Sequence, residues 1–128
     1  MGRINKKAPW DHIGALDPER VERFRKGWML PSSGLILGES PQDGARRILR
    51  EQLSIDQQQL NGPFVFSEMY GPANHWDIEF IFLGEREQAP SNEAWTELEF
   101  VDLTKTSQIE IARSHEDILA HVHKWTPH

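Results

Sequence analysis

Residues 29–54 constrain the fold of this chain more than any other stretch, because they predict a loop, a tight turn and an amphipathic helix. Residues 29–38 contain a proline and two glycines. Ser40 then precedes a proline, and Asp43 stands at the third helical position, a pattern typical of a helix N-terminus. The apolar residues that follow recur at helical spacing and are Ala45, Ile48, Leu49 and Leu53. We therefore expect a helix from Ser40 to about Ser54 with one face in the core.

Charged residues stand at fixed intervals along this loop and helix. Seven residues separate Glu39 from Arg47, and Glu51 follows Arg47 by one helical turn. This spacing resembles the Nudix box, in which a Gly, five residues, a Glu and seven residues precede the run Arg-Glu-apolar-x-Glu-Glu-x-Gly-apolar. Glu51 holds the first Glu of the closing pair in that frame. The resemblance implies a hydrolase that cleaves a nucleoside diphosphate linked to another group, with Mg²⁺ or Mn²⁺ bound by oxygen ligands on this helix.

Four positions of the box carry other residues in this chain. They are Ser33 at the opening Gly, Ile48 at the Glu after the Arg, Gln52 at the last Glu and Ser54 at the closing Gly. The metal-binding pair that the resemblance implies would fall on Ile48 and Gln52, which supply no charge. Glu51 is then the candidate metal ligand, and a plain salt bridge with Arg47 is the alternative explanation of its position. The resemblance also implies that Glu39 fixes the loop through Arg47.

A closer resemblance is to the GDP-mannose mannosyl hydrolase branch of the family, where an apolar residue also follows the Arg of the box. The match covers about Phe24 to Leu103 and implies a nucleotide sugar as substrate, one metal ion and a loop His as general base. The corresponding loop here, residues 88–95, contains no His. Glu93 or Glu97 could serve as the base, and an exposed loop acid is the alternative explanation. The candidate catalytic carboxylates are therefore Glu39, Glu51 and Glu93.

Arginines on the helix are the candidates for binding the diphosphate. Arg46, Arg47 and Arg50 lie within one turn of each other, and the guanidinium fork suits phosphate oxygens. Arg47 is expected to be tied to a neighbouring carboxylate, which leaves Arg46 and Arg50 to meet an anion. Tyr70 could stack on a base or a sugar, and His75 could meet a ligand at a turn. Solvated surface arginines, core packing and a polar strand end are the alternative explanations.

The remaining segments predict strands and two more helices. The expected strands are 64–70, 76–83 and 98–103, with a turn at 71–74 between the first two. Ile81 and Leu83 lie opposite the face that Trp76, Ile78, Phe80 and Phe82 share, so the far end of the second strand is expected to be covered on both sides. Helix starts are expected at Asp17 and Ser114. This order predicts an α+β fold and, with the box, a Nudix-like α/β/α sandwich with a mixed sheet.

One element of that sandwich has no counterpart in the sequence. The family begins with a strand hairpin before the box, and residues 1–26 show no strand pattern. The hairpin is therefore missing, replaced by the helix expected from Asp17 to Lys26, or supplied by a partner chain. Because a sheet without its edge strands leaves backbone groups unpaired, we expect a homodimer formed through the N-terminal residues or a sheet edge.

Composition limits the cellular setting and the partners. A chain of 128 residues suits a single domain over residues 1–128. Ten basic and six acidic residues fall in 1–50, and four basic and fourteen acidic residues in 51–128, for a net charge of −6. This balance argues against a nucleic-acid partner. The lack of a long apolar run argues against a membrane. The absence of cysteine fits a reducing cytoplasm.

Three functions remain open. The first is a Nudix-type hydrolase of a nucleoside diphosphate derivative, with a weakened metal site. The second is a binding module that keeps the pocket and has lost hydrolysis. The third is an assembly role, suggested by the missing hairpin.

Overall fold

A computed structural model describes residues 1–5, 27–70, 75–111 and 115–125 of the chain. The fold is α+β, and its described elements follow in this order: strand β1 (Gly2–Ile4), helix α1 (Pro41–Leu53), strands β2 (Asn61–Tyr70), β3 (His75–Leu83) and β4 (Trp95–Leu98), a 3₁₀ helix (Leu103–Gln108) and helix α2 (His115–Trp125). None of the helices in these ranges has the length and apolar character needed to cross a bilayer. The helix expected at 17–26, the turn at 71–74 and the cap at Ser114 lie outside the described residues.

Helix α1 forms where the capping signals predict it. The Ser40 side chain accepts a hydrogen bond from the backbone N–H of Asp43 at 3.1 Å, and proline opens the first turn. At the other end Ser54 adopts a left-handed conformation with φ 56° and ψ 36°. This is the conformation for which glycine is normally preferred at the end of a helix. Ser54 therefore ends the helix in the backbone conformation that glycine usually takes there.

A short strand at the N-terminus corrects the expectation that residues 1–26 contain none. Strand β1 pairs antiparallel with β4, and Gly2 also exchanges two backbone hydrogen bonds of 2.9 Å with Met29. Trp28 in turn forms a parallel bridge with Ile111. Gly2 lies so close to the Trp95 ring that an added Cβ would stand 2.5 Å from it. A three-residue strand is too short to show an alternation of apolar and polar residues. It forms because β4 and Met29 pair with it.

Strands β2 and β3 form an antiparallel hairpin that confirms both predicted strands and extends the first to Asn61. At its far end Ile81, Phe82 and Leu83 are each partly buried, as expected. The strand expected over 98–103 is wrong, because the described strand ends at Leu98. The side chain of Asp102 accepts hydrogen bonds from the backbone N–H and the hydroxyl of Thr104 and so caps the 3₁₀ helix. Local side-chain hydrogen bonds of this kind compete with the backbone hydrogen bonds that would continue a β-strand.

Candidate functional site

The Arg47 side chain joins helix α1 to the preceding loop through a part-buried ion pair with Glu39. Arg47 Nε donates to Glu39 Oε2 at 2.8 Å, and Nη2 donates to Glu39 Oε1 at 3.0 Å. The two side chains are 8% and 13% exposed. A two-pronged contact of this kind fixes both the distance and the orientation of the guanidinium. The structure therefore brings together the two residues that the box spacing pairs.

Further donors of Arg47 hold the loop itself. Nη1 donates to Ser33 Oγ at 3.0 Å, and Nη2 donates to the carbonyl of Gly34 at 2.8 Å. Glu39 Oε1 also accepts the backbone N–H of Ile36 at 3.2 Å. Ser33 stands where the box has glycine, and its hydroxyl adds a contact that glycine cannot make. The loop that opens the box is thus bound to α1 by one guanidinium, whose hydrogen bonds are directed at the protein.

The Glu39–Arg47 ion pair makes the stability of the fold depend on pH in the acidic range. The hydrogen bond with Arg47 is the main reason why the pKa of Glu39 lies below its ordinary value of 4.5, and the same bond raises the pKa of Arg47. A carboxyl with a lowered folded pKa contributes stability that is present above the unfolded value and lost as pH falls through the folded one.

The Glu39→Gln variant is therefore expected to lose less stability than the parent when pH falls below 4.5, because it carries no carboxylate to protonate. Thermal unfolding followed by circular dichroism at a series of pH values measures this. The exposed Glu87 offers a matched Glu87→Gln control, which should follow the parent. Identical acid dependence in Glu39→Gln and the parent would contradict the assignment.

Gln52 forms a second link between α1 and the loop, twenty residues away. Its side chain is 1% exposed. Nε2 donates to the carbonyl of Ser32 at 2.8 Å, and Oε1 accepts the backbone N–H of Ser32 at 3.3 Å. A glutamine amide can donate to one of these groups and accept from the other, whereas an ionised carboxylate only accepts. An ionised glutamate at position 52 could therefore not make both hydrogen bonds. Nothing in the sequence alone pointed to this pairing.

The donor set on α1 does not fit Mg²⁺ or Mn²⁺, which require several oxygen ligands. Ile48 is apolar, and the Gln52 oxygen is already hydrogen-bonded to Ser32. Glu51 remains, but its Oε2 lies 3.6 Å from Arg47 Nη1, a cation that opposes a second positive charge. No group of three or more His, Asp or Glu side chains placed to hold a metal ion occurs within the described ranges.

The loop expected to carry a general base docks on the C-terminal end of α1. Asn92 Nδ2 donates to the Glu51 carbonyl at 3.1 Å and to Ser54 Oγ at 2.8 Å. The indole of Trp95 donates to the Gln52 carbonyl at 2.8 Å. Glu93 is exposed beside these anchors. The fold thus brings the segment that carries Glu93 to the same end of the helix as Glu51.

A cleft of about 1060 Å³ lies between α1, β3 and α2. Its apolar lining includes Leu30, Ile48, Leu49, Phe80, Ile118 and Leu119. Its charged lining includes Arg47, Asp77, Glu79 and Arg86. The exposed arginines Arg46 and Arg50 are not part of it, and Arg46 pairs instead with Asp43 at 3.2 Å. The backbones of Tyr70 and His75 pair where the hairpin turns, but their side chains lie outside the described part of the structure.

His115 is a residue of the cleft that the sequence did not single out. It is 3% exposed at the start of α2, and its Nδ1 accepts the backbone N–H of Leu30 at 2.9 Å. The bond joins α2 to the loop that leads into the box. Leu30 and His115 lie 85 residues apart in the chain, so no local sequence pattern could have predicted this hydrogen bond.

Comparisons of the chain with protein-family models, with curated proteins and with solved structures gave no match.

Proposed function

We propose that this chain is a Nudix-like α/β/α domain that binds a nucleoside diphosphate linked to another group, and that it does so without a divalent cation. Two features support the family assignment. The Glu39–Arg47 pair occupies the box spacing and fixes the loop, and Ser54 ends the helix in the backbone conformation of the box glycine. Ile48 and Gln52 stand where the box has its metal-binding glutamates, and their lack of charge supports binding without hydrolysis.

The observation that carries the proposal is the buried amide of Gln52. Its two hydrogen bonds to Ser32 hold the loop through the protein's own groups. In an intact box, this part of the helix is turned toward a metal ion. Here the loop is shaped before any ligand arrives, and a preorganised site lowers the entropic penalty of binding.

The lining of the cleft suits the parts of such a ligand. Apolar side chains of α1 and α2 can receive a base or the face of a sugar. Arg86 is an exposed guanidinium on the lining and offers a charge-assisted contact to a phosphate. Asp77 and Glu79 line the β3 side, where carboxylates can accept hydrogen bonds from sugar hydroxyls. Arg86 thus takes the role for which Arg46 and Arg50 were the expected candidates.

Calorimetric titration with GDP-mannose, as the probe nucleotide sugar, tests both halves of the proposal. We expect the same affinity in EDTA and in Mg²⁺, because no protein group depends on the cation. Arg86→Ala should weaken binding about tenfold, the loss expected for one charge-assisted contact. Arg46→Ala removes the same charge outside the cleft and should bind like the parent. Equal affinity of the two variants, or no binding by the parent, would contradict the proposal.

Hydrolysis is the second candidate, and the position of the loop at residues 88–95 favours it. Docking through Asn92 brings the segment that carries Glu93 to the end of α1 that carries Glu51. Glu51 is partly exposed, so its carboxylate can reach solvent. Release of sugar or phosphate from the same probe, dependent on Mg²⁺ and abolished by Glu51→Gln, would select hydrolysis over binding alone.

A further inference from the structure

Two histidines of helix α2 face opposite kinds of hydrogen-bonding partner. The Nδ1 atom of His115 accepts the backbone N–H of Leu30 at 2.9 Å. The Nδ1 atom of His121 lies 2.7 Å from the backbone carbonyl of Asp117, which is an acceptor. An imidazole nitrogen that accepts a hydrogen bond carries no proton, whereas one that donates to a carbonyl carries a proton. The contact of His115 with Leu30 therefore requires the neutral ring, and the contact of His121 is compatible with the charged ring as well.

The position of His115 in the fold also favours its neutral ring. The residue is 3% exposed, and burial disfavours the charged form of a histidine. His115 is the first residue of α2, and the helix dipole opposes a positive charge at the N-terminus of a helix. The hydrogen bond, the burial and the dipole thus act in the same direction.

Charged groups on the other elements around the cleft supply both signs in equal number. Among the described residues that line the cleft with His115, the cations are the Met1 amino group, Arg47 and Arg86, and the anions are Asp77, Glu79 and Glu99. The segment that carries Leu30 has no charged residue between Gly27 and Gly38. Of the α2 side chains that the structure describes, Asp117 is charged and exposed. These groups present no net charge to the ring, so the direct contact with Leu30 sets its preference.

Hydrogen bonds on either side of Leu30 confine the effect of a proton on this loop. Met29 exchanges two backbone hydrogen bonds of 2.9 Å with Gly2, and Ser32 is hydrogen-bonded to the Gln52 amide. Neither contact involves a titratable group. Leu30 is thus the point at which the loop is joined to α2 by a hydrogen bond that a proton on the ring removes.

We propose that His115 is a pH-sensitive tie, which holds the start of α2 to Leu30 while its ring is neutral and releases it when Nδ1 takes up a proton. A histidine ordinarily titrates at about pH 6.5, so the release falls in mildly acidic solution. Leu30 and His115 both line the cleft, and their separation loosens the wall of the cleft that α2 forms. The tie is independent of the proposed ligand. It is also distinct from the effect of Glu39, whose pKa lies below its ordinary value of 4.5.

Amide hydrogen exchange of the parent protein tests the tie without any substitution. The contact contributes protection above about pH 6.5 and loses it as pH falls, because the ring takes up a proton more readily once Leu30 has left it. After correction for the intrinsic exchange rate, the protection of the Leu30 amide should fall about fivefold or more between about pH 7.5 and 5.5, the factor that corresponds to one hydrogen bond. The neighbouring Met29 amide donates to the Gly2 carbonyl and should keep its protection.

Two variants separate the His115 ring from other causes. His115→Asn keeps an acceptor near the place of Nδ1 but does not titrate, so the Leu30 amide should remain protected at both pH values. His121→Asn removes a second histidine of α2 and should keep the pH dependence of the parent. If His115→Asn fails to fold, the comparison of Leu30 with Met29 in the parent still decides. Unchanged protection of Leu30 in the parent, an equal loss at Leu30 and Met29, or a pH dependence that persists in His115→Asn would each overturn the proposal.

Discussion

Replacement of Arg47 by methionine is expected to lower the free energy of unfolding by about 1.5–3 kcal/mol, the range for hydrogen bonds to a charged group. The variant keeps the apolar stem but removes the guanidinium hydrogen bonds to Glu39, Ser33 and the Gly34 carbonyl. Because all three belong to the same loop, that segment should also become more mobile. Denaturant unfolding measures the first effect, and amide hydrogen exchange over residues 33–39 measures the second.

Arg46→Met is the matched control for this variant. Arg46 precedes Arg47 on the same helix, but its ion pair with Asp43 is exposed on both sides. An exposed pair of this spacing contributes only about 0.5 kcal/mol or less. In a double-mutant cycle, Glu39→Gln combined with Arg47→Met should be less destabilising than the sum of the single changes. Equal losses for the two arginine variants would show that the clamp at Arg47 does not stabilise the fold.

Replacement of Gln52 by glutamate is expected to destabilise the protein by about 2 kcal/mol or more at neutral pH, since a buried carboxylate would face the Ser32 carbonyl without a proton to donate. Burial and the facing oxygen both favour the protonated acid, so the folded pKa of the introduced carboxyl should rise. Stability should then approach that of the parent below the unfolded pKa of about 4.3 and fall as pH increases above it. Thermal unfolding across that range measures the effect.

The exposed Gln57 supplies the control for this second change. Gln57→Glu makes the same chemical substitution in water and should show no comparable pH dependence. Mg²⁺ provides a further discriminating measurement, because a glutamate at position 52 restores the residue that the intact box uses. If Gln52→Glu matched the parent at neutral pH, or was stabilised by Mg²⁺, the amide would not be the group that holds the loop.

Features that depend only on a few neighbouring residues could be predicted from the sequence. Helix α1 was predicted to within a residue at each end because Ser40, the following proline and Asp43 form a local cap. Strands β2 and β3 were predicted from their β-branched and aromatic runs. The Glu39–Arg47 contact was expected from the resemblance to the Nudix box, and the structure confirms the contact. Each of these signals depends on the conformation of a short segment and not on the rest of the fold.

Features that depend on residues far apart in the chain could not be predicted from the sequence. Strand β1 exists because Met29 and β4 pair with it, and the wrong prediction of a strand over 98–103 overlooked the capping by Asp102. The role of His115 and the place of Arg86 on the cleft were missed for the same reason. Alternation defines two faces of a strand, but the packing of α2 against one of them decides which is covered.

The sequence by itself determined the capped helix, the two long strands and the α+β class, for which local backbone preference and apolar periodicity suffice. The contact of Glu39 with Arg47 was expected only from the resemblance to a known box. Only the tertiary structure decided what Gln52 does. Its buried amide is hydrogen-bonded to Ser32, because the loop folds back onto the helix at that point. A residue that the sequence shows only as an uncharged position on the helix is, in three dimensions, a link between the helix and the loop.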